Sequence, residues 1–122
     1  MTEAPVPTYQ LHDGLAIITL DDGKANAIGN DVLAVLEGLL DQVESDGARA
    51  LVIVGREGKF SAGFNLAEMT ASVEGMQALV ARGARWWLRL YGLGIPTVAA
   101  CTGHALAGGA ITLLSCDLRI GA

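Results

Sequence analysis

Twice in this chain a short apolar strand runs into a glycine-containing turn that opens a helix, and this repetition constrains the fold more than any other feature. The first instance is a β-branched strand at 50–54, a Gly-rich loop at 55–63 and a helix start at Leu66. The second is a strand at 97–101, a turn at 103–107 and a helix at 108–115. With the elements around them, the order is strand, strand, helix, strand, helix, helix, strand, helix, strand. That order is an α/β pattern with crossover connections.

The remaining elements follow from local signals. Residues 1–7 read as a loose tail. Residues 9–13 and 15–20 read as strands around Asp13-Gly14, a hairpin dipeptide. The second strand is apolar on both faces, so cover on both sides is expected. Asp21 and Asp22 lie in a turn with Gly23 and Lys24. Val32, Leu33, Leu36, Leu39, Leu40 and Val43 recur at helical spacing after Gly29-Asn30, and Asp46-Gly47 closes that helix. Asn65 and Glu68 have capping-box spacing. A longer helix near 73–91 carries Val73, Met76, Val80, Gly83, Trp87 and Leu90 on one stripe, and Ile95-Pro96 breaks it. A last strand begins at Asp117.

Composition closes off several function classes. A chain that is 52% hydrophobic can build a core, so disorder is not expected. The net charge is −5, and Arg82, Arg85 and Arg89 are spread along one helix rather than clustered, which argues against nucleic acid as a partner. Cys101 and Cys116 lack metal or redox spacing and read as buried free thiols in a reducing compartment. The first residues have neither a basic nor an apolar targeting region, and no apolar run is of membrane-spanning length. The expectation is a cytoplasmic protein with no membrane and no metal.

The chemistry lies in the two turns. A helix start presents unpaired N–H groups and partial positive charge. Two such starts aimed at one point make an oxyanion hole from main chain alone. Either turn by itself is explained by close packing, with Gly63 supplying a positive φ and Gly108-Gly109 letting a helix approach the sheet. Their joint occurrence favours a site.

These residues carry a resemblance. Phe60-Ser61-Ala62-Gly63-Phe64-Asn65-Leu66, Pro96-Thr97-Val98-Ala99-Ala100, Gly103-His104-Ala105-Leu106-Ala107-Gly108-Gly109, Cys116-Asp117-Leu118-Arg119-Ile120 and Lys24-Ala25-Asn26-Ala27-Ile28 together resemble the amino-terminal half of a crotonase-superfamily protein, the enoyl-CoA hydratase/isomerase family. The resemblance implies a crotonase-like (ClpP/crotonase) α/β spiral of β-β-α units. Residues 8–122 would form its amino-terminal part, with the carboxyl-terminal helical part beyond Ala122. It implies an acyl-CoA substrate, no cofactor apart from the coenzyme A of that substrate, and a homotrimer or dimer of trimers at full length. The thioester oxygen would accept from the N–H groups of Phe64 and Gly108. The coenzyme would lie along Lys24, Ala25 and Ala27 and the backbone of Ala62, Asn65 and Leu66, with Lys24 meeting a phosphate or standing as a solvated turn residue.

One departure redirects the reaction. Hydratases of the family place an acidic residue two positions after the second Gly of the second turn, and here that position is Ile111. Isoleucine neither positions nor deprotonates water. Double-bond isomerisation, or related one-base chemistry through an enolate, is expected over hydration, with the base beyond Ala122. His104 reads as a structural hydrogen-bonder, Glu68 as the capping partner of Asn65, Asp117 as a pairing or capping residue, and Trp86 and Trp87 as packing residues. Two rival readings stand beside this one. The first is a non-catalytic acyl-CoA-binding or interaction module. The second is a dinucleotide-binding oxidoreductase, because Gly103-x-Ala105-x-x-Gly108 imitates a nucleotide turn, although close pyrophosphate approach wants Gly at the middle position.

Overall fold

A computed structural model of the chain describes residues 6–121. Of the expected loose tail, residues 1–5 lie outside the described residues. Pro7 is buried and, with Val6, lines a small apolar pocket beside Leu20, Ile28 and Trp86.

Three successive turns of strand, short strand and helix build the fold. The first follows an initial strand β1 (Thr8–His12) and comprises β2 (Leu15–Thr19), β3 (Ala27–Ile28) and α1 (Asn30–Ser45). The second comprises β4 (Ala50–Val54), β5 (Gly58–Ser61), β6 (Gly63–Phe64), α2 (Leu66–Ala71) and α3 (Val73–Tyr91). The third comprises β7 (Thr97–Cys101), β8 (Gly103–Ala105) and α4 (Gly108–Leu114), and β9 (Leu118–Gly121) follows it. The long strands form one sheet in the order β1-β2-β4-β7-β9, parallel except for the β1–β2 hairpin. At that hairpin Asp13 and Gly14 take φ of 50° and 85°, the geometry a two-residue turn needs to match strand twist. The short strands pair in two separate parallel ladders, β3–β6 and β5–β8.

Period-two alternation places Ala16, Ile18, Leu51, Ile53, Thr97 and Ala99 on one sheet face, all buried. Leu33, Leu36, Leu40 and Val43 of α1 and Leu79, Trp86, Trp87 and Leu90 of α3 are buried in the same core. Each such Leu or Ile contributes about 1.5–3 kcal/mol by leaving water. The opposite face is only half covered: Ile17, Val52 and Val98, aligned across three strands, are partly exposed. The expectation of cover on both sides of β2 is therefore corrected.

The stripe on α3 is also shifted. Val73 and Val80 are 63% and 40% exposed, and Leu79 and Trp86 take the inward places expected of them. Gly83 on the same side of α3 leaves room for the Phe64 ring, which a β-carbon there would overlap. Charged residues join α3 to α1: Arg82 makes two hydrogen bonds to the carboxylate of Glu37, at 2.9 and 2.7 Å, and holds its carboxyl below the ordinary range. Arg89 reaches both Asp41 and Glu44. Such partly exposed pairs contribute less than about 1 kcal/mol each.

Candidate active site

Both segments read as loops contain strands. Gly58–Ser61 and Gly103–Ala105 pair in parallel, and Leu106 N donates to Ser61 O at 2.9 Å. Two glycines make this possible. A β-carbon on Gly103 would overlap the Gly58 backbone, and one on Gly109 would overlap the Ser61 carbonyl. The two turns are thus locked against each other.

Gly63 then meets Gly108. At φ +91° a β-carbon on Gly63 would stand 2.9 Å from Gly108 N and from Leu106 O. Among the described residues Gly108 N–H has no hydrogen-bond acceptor, while the next amide, Gly109 N, turns back to Leu106 O at 2.8 Å. Phe64 follows Gly63 directly. In the β3–β6 ladder Asn65 N donates to Ile28 O at 2.8 Å, so strand alternation turns Phe64 N–H away from β3. The N–H groups of Phe64 and Gly108 therefore flank one backbone contact, neither spent on the neighbouring ladder.

The residues expected along a coenzyme divide by location. Ala25 O accepts from Ala62 N at 2.9 Å and Ala27 lies opposite Gly63, so Ala25, Ala27, Ala62 and Asn65 are brought together along one ladder. Lys24 is exposed beside them, and its carbonyl accepts from Arg56 at 2.8 Å. Leu66 is 78% exposed at the start of α2. A groove of about 410 Å³ runs past Lys24, Ala25, Ala27 and Asn65, and a hollow of about 160 Å³ lies between Ala25, Lys59, Ala62 and His104.

Several side chains take roles other than those expected. Asn65 Oδ1 accepts from Glu68 N at 3.1 Å, which is half a capping box. The Glu68 carboxylate completes nothing there. It accepts from Asn30 N and Nδ2 at 2.9 and 2.8 Å, and so caps α1, whose own N-cap is Gly29 without a side chain. His104 is exposed and makes no side-chain hydrogen bond among the described residues, so it is not a structural hydrogen-bonder. Asp117 does pair: its carboxylate accepts from Thr97 N at 2.8 Å and joins β9 to β7.

Sequence reasoning assigned no role to Asn26. It is buried at φ +54°, a conformation Asn tolerates better than most residues. Its Nδ2 donates to Leu20 O at 2.7 Å and Phe60 O at 3.0 Å, and its own carbonyl accepts from Ser61 Oγ at 2.8 Å. Asn26 thus pins the 24–28 segment to the first turn. Ala107 was also passed over. It takes φ +50° and ψ −114° immediately before Gly108, a strained geometry for an L residue. An alanine between Leu106 and Gly108 carries no local signal of that strain.

The enoyl-CoA hydratase/isomerase family model matches residues 10–122. A probable enoyl-CoA hydratase of Bacillus subtilis is 35% identical over 111 residues, which cover 88% of this chain and 43% of that protein. The human mitochondrial enoyl-CoA delta isomerase 1 is 32% identical, over 88% of this chain and 36% of that protein. Among solved structures, an enoyl-CoA hydratase/isomerase family protein from Pseudomonas syringae superposes with a TM-score of 0.92 at 43% identity, covering 95% of this chain and 50% of that one. The chain spans less than half the length of these curated relatives. Its α/β architecture is the crotonase-like fold over that portion. By sequence and by fold, the chain belongs to the enoyl-CoA hydratase/isomerase family.

Proposed function

We propose that this chain carries the oxyanion half of an acyl-CoA site, in which Phe64 N–H and Gly108 N–H receive the thioester oxygen as an enolate forms. The observation that supports this best is the contact of Gly63 with Gly108, beside which the amides of Phe64 and Gly108 are not used by the β3–β6 ladder. Such donors are fixed before charge develops, and one is worth about 3–4 kcal/mol in comparable sites. The coenzyme runs along Ala25, Ala27, Ala62 and Asn65, with Lys24 and Leu66 exposed at the margins. Ile111, 42% exposed on the first turn of α4, offers no carboxylate to activate water. Isomerisation of a 3-enoyl to a 2-enoyl thioester is therefore favoured over hydration.

The test compares an acyl-CoA with its S-alkyl thioether, which lacks the carbonyl oxygen. The thioester is expected to bind at least about tenfold tighter and to shift the amide resonances of Phe64 and Gly108. Equal affinities, with neither amide moved, would overturn the assignment. A second reading, a non-catalytic acyl-CoA-binding module, is favoured by the same Ile111. It predicts thioester binding without conversion of a 3-enoyl-CoA by the protein.

A further inference from the structure

One side chain touches both sides of the proposed oxyanion site. Trp87 is 9% exposed on α3, and its Nε1 donates to Thr112 Oγ1 at 2.9 Å. The same hydroxyl donates to Gly108 O at 2.9 Å, so its single proton and one lone pair are both used in the only polarity this chain of groups allows. The indole also packs on the Phe64 ring, with centroids 5.4 Å apart and planes at 52°. A β-carbon on Gly108 would stand 3.2 Å from Trp87 Cζ2, so the ring lies against the Gly108 backbone as well.

The neighbouring indole shows that this bond is not a mere consequence of burial. Trp86 is 3% exposed, yet its Nε1 has no acceptor among the described residues. Gly108 meanwhile has no side chain to hold its torsions, and it follows the strained Ala107. Relaxation of Ala107 would rotate the peptide that carries Gly108 N–H. The Thr112 hydroxyl resists that rotation from the far side of the residue.

We propose that Trp87 and Thr112 are positioning residues for the oxyanion site: the indole–hydroxyl–carbonyl chain holds Gly108 while the indole ring holds Phe64, fixing the spacing of their two N–H groups. The inference rests on the reading given under Proposed function. Neither residue touches the reacting atoms, so the effect is on orientation and falls on the charged oxygen rather than on the coenzyme.

The experiment uses the full chain and two probes, free CoA and a 3-ketoacyl-CoA whose enolate is read by its ultraviolet absorption. Thr112→Val keeps the shape and removes the hydroxyl, and Thr112→Ser restores it. Thr112→Val is expected to lower enolate affinity about tenfold, with CoA affinity unchanged and Thr112→Ser close to wild type. Equal behaviour of the Val and Ser variants, or a parallel loss of both probes in Thr112→Val alone, overturns the proposal. A ligand-free arm compares the Gly108 and Phe64 amide resonances in the two variants, and in Trp87→Phe should Thr112→Val not fold. Unmoved amides in the hydroxyl-free or indole-free protein overturn the proposal. If the wild-type chain binds neither probe, the acyl-CoA reading fails, and the ligand-free arm alone decides the positioning role.

Discussion

Gly63 and Gly108, 45 positions apart in sequence, meet through their backbones so closely that a β-carbon on the first would stand 2.9 Å from the amide nitrogen of the second. This contact brings the two glycine turns together, with Gly63 at φ +91°.

Gly63→Ala is expected to lower stability by about 2 kcal/mol or more, because torsional strain and steric overlap add. Gly23→Ala is the control: its φ is +74°, but nothing lies within 4 Å of the added carbon. It loses only the torsional part, about 1 kcal/mol. Denaturant midpoints measure both. Equal losses would mean that the turns are not tightly apposed.

Ala107 stands in the opposite situation, an L residue where glycine would rest without strain. Ala107→Gly is expected to stabilise the fold by about 1 kcal/mol, the relieved strain outweighing the added freedom of the unfolded chain. The midpoint should rise with an unchanged denaturant slope. A fall would show that the methyl group's packing matters more than its torsions.

Glu68 links the helix after the first turn to the start of α1. Glu68→Ala is expected to cost about 1 kcal/mol and to speed exchange of the Asn30 amide, while Glu68→Gln retains an acceptor and about half the effect. Exchange at Asn30 that does not change in Glu68→Ala would remove the capping role.

The two thiols should separate by access. Cys101 is half-buried, whereas Cys116 is buried and its thiol is pushed up to about 11, mainly by desolvation. Alkylation near neutral pH is expected at Cys101, with Cys116 modified only on unfolding or at strongly alkaline pH. Because the folded value lies above the ordinary 9.0, the stability tied to the neutral thiol is complete below 9.0 and is lost as pH rises through about 11. Cys116→Ala should flatten that alkaline decline. Tyr9, raised to about 12 by burial and its bond to Asp46, titrates later and leaves a distinct final limb. A decline of the same shape in Cys116→Ala would assign it elsewhere.

The sequence by itself determined the elements that local chemistry dictates. Asp13-Gly14 forms the hairpin, and the apolar spacing of Leu33, Leu36, Leu40 and Val43 forms α1, whereas α3 ends at Tyr91 on the Gly92 cap, before the expected break at Ile95-Pro96. Those signals act over a few residues, through torsional preference and burial period, and they survive in any context. The resemblance of the two glycine turns to one family was legible for the same reason, since glycine is required wherever backbones must touch. Only the tertiary structure decided that Gly58–Ser61 and Gly103–Ala105 are strands, because each is a run of three or four residues that becomes a strand by pairing with the other. It also decided that Glu68 caps a distant helix, that Leu79 and Trp86 displace Val73 and Val80 from the core, and that Trp87 reaches Gly108 through Thr112. Those outcomes depend on which groups long-range packing leaves adjacent, and no local pattern encodes that.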